Sequence, residues 1–532
     1  MSEAAARIWP KVCHHLNGMA LAPAVAAMAR RGVLAVLDAA SEPLAVGELA
    51  AGLGLRQGYL ALCLRLLASQ GFVAVEADRA ALTPLGRQWR GAAIAYDLAP
   101  EALAAAGDLA GWLAAEGPEP AQAARWRRLL GPEAAGQGAA LAEEGARHVH
   151  GAMVAALMRA FCLRGLWEPL VAAGRAGLAL AELGLNAAAL GAAFDLLARQ
   201  GWAWIDGPRA GLSAEGALLA DYAPQYFAPL SYLPTFRALD DFLTGAATPE
   251  DLTRDHAGAE SHLDRRLDIE FSGLVFKKGC AEPFFAAVLP VFDQPLERQP
   301  ACVVDTGCGD ATLLVELHRA IARRTLRGRH LGQKPLIMVG AEFNPQARQT
   351  AAQRLEREGI SHLAIDGDIT DPEALARRLG GCGLDPFDAL HLSKSVAHNR
   401  ALTQAPDQWP AGQWPAQGLF VTRGGRIVAP KAMAHDLTEF FRRWLPHVRR
   451  HGMALIEAHT VEPAVAAPHR HRHLITCTEA YHILSGQYLV DAGSHRRAYQ
   501  EAGFTAVSQA DLGRAMVGQA LMSVDFLRPA QA

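Results

Sequence analysis

Paired cysteines, an excess of either charge and long apolar runs are all missing from this sequence. Its eight cysteines are scattered with no C-x-x-C pair, which argues against a disulfide framework or a four-thiolate zinc site. A formal charge of −3 excludes a strongly basic nucleic-acid binder. The apolar stretch from Met19 to Leu37 is broken by Arg30 and Arg31, so no run reaches the ~18–20 residues of a membrane span. With no apolar signal-peptide core, we expect a soluble, cytoplasmic protein that contacts neither membrane nor nucleic acid.

The first half contains an internal repeat. RLLASQGF at 65–72 and ALTPLG at 81–86 recur 130 residues later as DLLARQGW at 195–202 and GLSAEG at 211–216. In each copy small apolar helices are followed by two short strands around a turn. Three helices and a β-hairpin predict two tandem winged-helix modules in a mostly helical N-terminal region.

The modules lack the charge that DNA binding needs. The third helix of the first copy, Arg56 to Gln70, offers only Arg56 and Arg65, and that of the second, Asn186 to Arg199, offers one Arg beside an Asp. We therefore expect the modules to pack, to hold a homodimer or to cap an active site. The predicted domains are 1–95 and 151–260 for the two modules, with a lid in the second, 96–150 for a helical connector and 261–532 for a catalytic domain.

A glycine-rich turn marks the catalytic domain. Residues 301–314 read ACVVDTGCGDATLL: an apolar strand ends at Asp305, passes Gly307 and Gly309, and opens a helix at about Ala311. Such a turn lets the backbone approach a nucleoside ligand at a helix N-terminus. A dinucleotide fingerprint would require a third glycine where Thr312 stands. The form D-x-G-C-G-D instead resembles motif I of class I S-adenosylmethionine (SAM) methyltransferases, and this resemblance implies that Asp305, Gly307, Gly309 and Asp310 lie at the cofactor.

An alternating α/β series follows and predicts a Rossmann-like core. One strand precedes Glu342, the acid expected at the ribose, and the next leads to Asp368 and Ile369 near the adenine. A fourth strand ends at Ser393, MALIEA forms the fifth, and 504–509 and 517–527 supply the last two. An inserted loop is expected at 324–334. Because ligands lie beyond the carboxyl ends of such strands, the chemistry should come from 393–400 and 459–491.

Several histidines fall in those two segments. His398 follows the fourth strand, His459 the fifth, and His482 and Gln487 come later. Imidazole serves equally as a transition-metal ligand or a general base, and spacing alone leaves both roles open. The PHRHRH tract at 468–473 alternates His with Arg, which favours a solvated loop outside the site.

Residues 262–510 resemble the methyltransferases that begin some polyketide assembly lines, of the apratoxin and saxitoxin starter-unit type. The resemblance is carried by HLDRRLDIEFSG (262–273), PLERQPACVVDTGCGD (295–310), LHLSKSVAHNR (390–400), IEAHT (456–460) and LSGQYLV (484–490). It implies a SAM-binding core under a helical lid, and a mononuclear divalent metal, iron or manganese, beside the cofactor. It also implies C-methylation of a malonyl group on a carrier protein. By this likeness His459 and Gln487 are metal ligands, and His459, His398 and His482 are catalytic candidates.

Two departures from that family keep alternatives open. After the fourth strand the family has a sequence near RSFLDHNR, whereas this chain has SKSVAHNR at 393–400. Lys394 therefore replaces an Arg, and Ala397 replaces an Asp. No decarboxylase or carrier motif follows, so an acyl carrier protein would act in trans, or the substrate would be a free small molecule. The alternatives are a metal-independent O- or N-methyltransferase of a small secondary metabolite with a His base, and a SAM-sensing or carrier-docking protein.

Overall fold

The computed structural model describes residues 3–91, 93–117, 119–131, 139–249, 261–402 and 414–530. The chain divides into two compact units. The helical unit comprises Met1–Phe271, Val421–Ile427 and Glu462–Ser485, and the sheet unit comprises Ser272–Phe420, Val428–Val461 and Gly486–Ala532. Residues 421–427 and 462–485, within the predicted catalytic domain, thus pack with the N-terminal part of the chain.

The helices are numbered in chain order. They are α1 Glu3–Arg30, α2 Val33–Ala39, α3 Val46–Leu53, α4 Gln57–Ser69, α5 Pro84–Arg90, α6 Ala99–Ala114, α7 Pro120–Leu130, α8 Ala139–Leu163, α9 Trp167–Ala173, α10 Ala187–Arg199, α11 Leu219–Tyr222, α12 Phe227–Ser231, α13 Leu233–Arg237, α14 Leu239–Thr244, α15 Arg265–Val275, α16 Ala281–Val288, α17 Thr312–Arg324, α18 Leu326–Arg329, α19 Pro345–Arg357, α20 Pro372–Gly381, α21 Pro430–Trp444, α22 Pro463–Ala466, α23 Ile475–Leu484, α24 Ala492–Glu501 and α25 Arg514–Val517.

The strands are numbered in the same way. They are β1 Leu44–Ala45, β2 Val73–Glu76, β3 Arg79–Leu82, β4 Leu178–Ala179, β5 Ala203–Asp206, β6 Arg209–Leu212, β7 Cys302–Thr306, β8 Ile337–Ala341, β9 His362–Ile365, β10 Ala389–Lys394, β11 Met453–Ala458, β12 Phe504–Leu512 and β13 Met522–Pro529.

The helical unit is built around α1 and α8. A Cβ added at Gly18 would lie 2.2 Å from the Cα of His148, and one at Gly151 would lie 2.0 Å from the carbonyl oxygen of His15. Only glycine permits backbones to approach so closely. The crossing therefore places the histidines of α1 beside those of α8. Considered one at a time, the described helices are too short or too polar to cross a membrane. Two bent pairs, over 6–39 and 139–176, meet that length and composition test together.

The two sequence repeats have the same local structure. Each holds a three-stranded antiparallel sheet, in the order β1-β3-β2 in the first copy and β4-β6-β5 in the second. Thr83 Oγ1 donates to the carbonyl of Gly71 at 2.7 Å, and Ser213 Oγ donates to that of Gly201 at 2.9 Å, 130 residues on. Helices α4 and α10 precede the two hairpins, as the repeat predicts.

The sheet unit is a seven-stranded sheet in the order β12-β13-β11-β10-β7-β8-β9, in which β13 alone runs against the rest. Its central strands β7, β10 and β11 are almost entirely buried, as expected of strands covered on both faces. Helices α16, α17 and α19 pack on one face, and α20, α21 and α24 on the other. The predicted Rossmann-like core of a class I methyltransferase is confirmed.

One local prediction was wrong: Val517 ends the short helix α25, so the last strand begins at Met522 rather than 517. The loop predicted at 324–334 contains one helical turn, α18, whose Arg327 is fully buried. The Arg327 guanidinium donates to the carbonyls of Pro300, Lys334 and Pro335, which fixes the segment against the sheet unit.

Candidate active site

The turn after β7 has the backbone of a ligand cradle. Gly307 and Gly309 have φ of 80° and 54°, and Ala311 has φ of 61°, before α17 begins at Thr312. A Cβ at Gly307 would lie 2.5 Å from Cγ2 of Val396, a residue just after β10. The close approach and the left-handed backbone both require glycine there. The N-terminus of α17 therefore lies at this edge of the sheet, where helical N–H groups favour an anionic ligand.

Asp305 and Thr306, at the end of β7, provide polar atoms for a ligand. Both side chains are buried, and Asp305 Oδ1 and Thr306 Oγ1 have no hydrogen-bond partner among the described residues. Burial raises the pKa of the Asp305 carboxyl to about 7, with the Lys394 ammonium lowering it and Glu342 raising it. A buried carboxyl without a donor is costly unless a bound group supplies one. The amino group of the methionine part of SAM is such a donor, so these residues fit the cofactor.

Glu342 ties the end of β8 to the glycine turn. Its Oε2 accepts from the backbone N–H of Gly309 at 3.2 Å, and its Oε1 accepts from that of Asn344 at 3.0 Å. Glu342 therefore fixes the turn and lies at the edge where a ribose is expected.

Four other predicted cofactor residues lie at the same end of the sheet in different roles. Asp310 Oδ1 accepts from Thr312 N at 3.0 Å, and its other oxygen is paired with Arg354, so its carboxylate caps α17. Asp368 is exposed and accepts from Thr370 N at 2.8 Å, whereas Ile369 is buried. Ser393 is buried and donates to the carbonyl of Thr306 at 3.2 Å.

A buried histidine–carboxylate pair lies beyond β10 and β11. His398 Nδ1 donates to Glu457 Oε1, and Glu457 Oε2 accepts from the backbone N–H of Ala397 at 3.0 Å. Burial alone would raise the pKa of Glu457, but the adjacent His398 lowers it to about 2. The ionised carboxylate orients the His398 ring and favours a proton on Nδ1, the pairing by which a carboxylate positions a general base. Glu457 was not among the predicted site residues, although it stands at the end of β11 two residues before His459.

His459 is buried with both ring nitrogens near protein atoms. Its Nε2 lies 2.9 Å from Ser523 Oγ and its Nδ1 lies 3.3 Å from the carbonyl of Val490. Ser523 in turn donates to Asp525 at 2.5 Å. Burial and the neighbouring His495 lower the pKa of His459 to about 4, so the ring is neutral.

The segment that carries Gln487 contacts the loop after β10, which holds His398, and the loop after β11, which holds His459. Tyr488 N donates to the carbonyl of His398 at 2.7 Å, and Thr460 N donates to that of Val490 at 3.2 Å. Gln487 itself is buried. The sheet unit therefore brings His398, His459 and this segment together. His482 lies in the helical unit, on α23, where its Nδ1 donates to the carbonyl of Thr478 at 2.6 Å.

Another residue of the sheet unit was missed by sequence reasoning. His495 on α24 is buried, and its ring meets that of His459 edge-on, with centroids 5.4 Å apart. It also contributes to lowering the pKa of Glu457, after His398. No sequence pattern links His495 to the strand ends, because α24 is brought there only by packing against the sheet.

The PHRHRH tract is only in part the solvated loop that the sequence predicts: Pro468, His471 and Arg472 are exposed, but His473 is not. His473 is fully buried and its Nε2 donates to the carbonyl of Ala466 at 3.0 Å. His471 Nδ1 lies 2.7 Å from Nε2 of His14. Partners more than 450 residues away in the sequence therefore overcome the repulsion expected from the alternating arginines.

Comparisons with known proteins give one consistent assignment. A family model for the AprA MT2-like domain matches residues 260–514, and one for the AprA N-terminal domain matches residues 10–75. No curated protein matches the sequence.

Three solved structures illustrate more distant resemblances. Human N-acetylserotonin methyltransferase in complex with SAM is 16% identical, with a TM-score of 0.41, over 75% of this chain and 100% of that one. An O-methyltransferase family 2 protein from Planctomyces limnophilus, in complex with apigenin, is 13% identical with a TM-score of 0.38, over 98% of this chain and 96% of that one. LepI in complex with SAM is 14% identical with a TM-score of 0.40, over 71% of this chain and 86% of that one. The family models, rather than these structures, carry the assignment.

Proposed function

The chain belongs to the AprA MT2-like family of class I SAM-dependent methyltransferases, and on that premise we propose that it methylates the α-carbon of a malonyl-type or other β-dicarbonyl acyl substrate. The observation that carries the proposal is the buried His398–Glu457 pair beyond the strand ends. Val396, two residues before His398, lies against Gly307 of the cofactor turn. A base is therefore held next to the segment that binds the methyl donor.

His398 performs the proton transfer in this account. Its Nε2 lone pair takes the α-proton of the substrate, and the electron pair left on the α-carbon forms the bond to the SAM methyl group. The carbon–sulfur bond breaks with its electrons on sulfur, which yields S-adenosylhomocysteine. Glu457 stabilises the imidazolium that results. Proton transfer by a positioned side chain is worth about 10²–10⁴-fold in rate.

Positioning and exclusion of water are the chain's other contributions. SAM already carries a sulfonium leaving group, so holding donor and acceptor about 3–3.5 Å apart supplies much of the barrier reduction. Asp305 and Glu342 supply the acceptors that orient the cofactor. Because His398, Glu457 and His459 are all buried, charge that develops at the substrate is stabilised by fixed groups rather than by water.

A divalent metal is part of the proposal through the family resemblance. His459 and Gln487 would hold it, since imidazole and amide oxygen suit iron or manganese and both side chains are buried. When bound, such an ion supplies Lewis-acid stabilisation of the two carbonyl oxygens. Ser523 Oγ, 2.9 Å from His459 Nε2, would have to turn away first. His482 remains a catalytic proposal from the sequence alone.

The second candidate is metal-independent O- or N-methylation of a small secondary metabolite. Both ring nitrogens of His459 already lie near protein atoms, which favours a site without metal. The His398–Glu457 pair would remove a hydroxyl proton without a metal ion. We keep an acyl carrier protein, acting in trans, as the proposed partner for the first candidate and a free small molecule for the second.

Product analysis separates the two candidates. The full chain is incubated with methyl-labelled SAM and a malonyl thioester, either free or on a carrier protein, with and without a metal chelator. The first candidate predicts a methylmalonyl product with the label on carbon and loss of turnover on chelation. Transfer only to hydroxylated or amino acceptors, unaffected by chelator, would overturn it in favour of the second.

A further inference from the structure

The helical unit contains a second polar cluster that shares no residue with the site described above. His14 lies on α1, Glu144 and His148 lie on α8, and Arg470 and His471 lie in the loop before α23. One ligand atom from each of His14, Glu144 and His471 lies within 4.8 Å of the others. Among the described residues this is the one such group of three His, Cys, Asp or Glu side chains.

Buried atoms of this cluster lack partners. His14 and Glu144 are each 5% exposed, yet His14 Nδ1 and Glu144 Oε1 have no hydrogen-bond partner in the described part of the chain. His148 Nε2 is in the same condition. Unsatisfied polar atoms are rare in protein interiors, and of these three Glu144 Oε1 is the atom that a cation bound between His14 and His471 would complete.

Arg470 occupies part of the cluster. Its Nη2 donates to Glu144 Oε2 at 3.1 Å, and its Nε donates to His471 Nε2 at 3.1 Å. The guanidinium therefore uses a Glu144 oxygen that a metal ion would need. By donating to His471 Nε2 it also keeps the His471 proton on Nδ1, the nitrogen that faces His14. Its own Nη1 has no partner among the described residues, so the guanidinium is incompletely satisfied where it lies.

We propose that His14, Glu144 and His471 bind one zinc-type divalent cation, and that Arg470 leaves Glu144 and His471 when the ion enters. Two imidazole nitrogens and a carboxylate oxygen are an established zinc donor set, with water in the fourth position. His14 Nε2 and His471 Nδ1 lie 2.7 Å apart. They must separate to about 3.3 Å if each is to lie about 2.1 Å from one zinc ion. His471 is exposed on a loop, so it supplies both the movement and the entry path.

The bound ion would link three segments distant in sequence. It would join α1, α8 and the 467–473 loop, all within the helical unit, and stabilise that unit through mass action. This role is structural and does not depend on the proposed methyl transfer. The site also differs from the His459 and Gln487 pair, which belongs to the sheet unit.

Zinc titration of the full-length, chelator-stripped protein tests the proposal. Binding is measured by competition with a chromophoric chelator, together with the unfolding temperature. We expect one zinc per chain at this site, with a rise in unfolding temperature of several degrees. His471→Asn should lose at least tenfold in affinity and abolish that rise. His469→Asn, in the same loop, is the matched control and should bind as the natural chain does.

Two further variants make the outcome specific. Arg470→Gln should bind zinc more tightly, because the competing guanidinium is gone, and equal or weaker binding would overturn the displacement of Arg470. His459→Asn should leave the zinc-induced rise unchanged, and its loss there would place the ion in the sheet unit instead. Identical titrations for the natural chain and His471→Asn would overturn the site. Co²⁺ absorption in the His459→Asn background gives an independent readout of nitrogen and oxygen coordination in case His471→Asn fails to fold.

Discussion

The backbone N–H of Gly309 donates to the carboxylate of Glu342 at 3.2 Å, so the side chain proposed to bind the ribose also fixes the glycine turn. This bond joins the ends of β7 and β8, which are neighbours in the sheet. Because β10 lies on the other side of β7, the proposed cofactor site lies at the point where the strand order reverses direction along the chain.

Replacing Glu342 should weaken SAM binding in two ways. Glu342→Ala loses the charged acceptor and frees the Gly309 turn, and a hydrogen bond to a charged group is worth about 1.5–3 kcal/mol. We therefore expect the SAM Kd to rise about 10- to 100-fold in isothermal titration calorimetry. Glu356→Gln, exposed on α19, is the control. Equal Kd values for Glu342→Ala and the natural chain would contradict the placement of the ribose.

Gly307→Ala should disrupt the cradle through a clash and through its backbone. The added Cβ would meet Val396 at 2.5 Å, and φ of 80° costs an alanine about 1–3 kcal/mol. SAM affinity and unfolding temperature should both fall. The double variant Gly307→Ala/Val396→Ala should recover part of the loss, because it relieves the clash but not the backbone strain. A double variant no better than Gly307→Ala would show that the contact with Val396 is unimportant.

SAM affinity should depend on pH through Asp305. Burial raises the pKa of this carboxyl to about 7, so below that value it is protonated in the free protein. The methionine ammonium of SAM favours the ionised form, so binding releases a proton. Affinity should rise with pH between 5.5 and 7, where an α-amino group stays largely protonated, and level off above. In Asp305→Asn the SAM Kd should be higher and nearly flat over that range; a slope equal to that of the natural chain would assign the dependence to another group.

The strand, glycine turn and helix of the proposed cofactor site could be predicted from the sequence because their signals are local. Asp305, Gly307 and Gly309 lie within five residues, and the apolar strands around them are continuous. The role of Glu457 could not be read in this way, because it depends on a partner in a different loop, His398. The burial of His473 and the contact between His471 and His14 depend on α1, at the other end of the chain. Both the His398–Glu457 pair and the surroundings of the 468–473 tract depend on packing between segments distant in the sequence, which no local pattern predicts.

The proposed metal predicts a specific pattern for His459→Ala. If His459 and Gln487 hold the ion, this variant should lose metal-dependent turnover while the SAM Kd changes by no more than a few-fold, since neither residue contacts the glycine turn in the described contacts. Turnover is followed with labelled SAM before and after chelation and re-addition of Fe²⁺ or Mn²⁺. Full activity in the chelated natural chain and in His459→Ala would rule out the metal and leave the His398 base alone.

The most direct test of the account is the rate of methyl transfer by His398→Asn under saturating SAM and malonyl thioester. The base role predicts that kcat falls by about 10²–10⁴-fold while the SAM Kd, measured on the same preparation, is unchanged. His435→Asn, half-buried on α21 of the same unit, should retain kcat. A His398→Asn enzyme with the kcat of the natural chain would contradict the assignment of His398 and Glu457 as the proton-accepting pair.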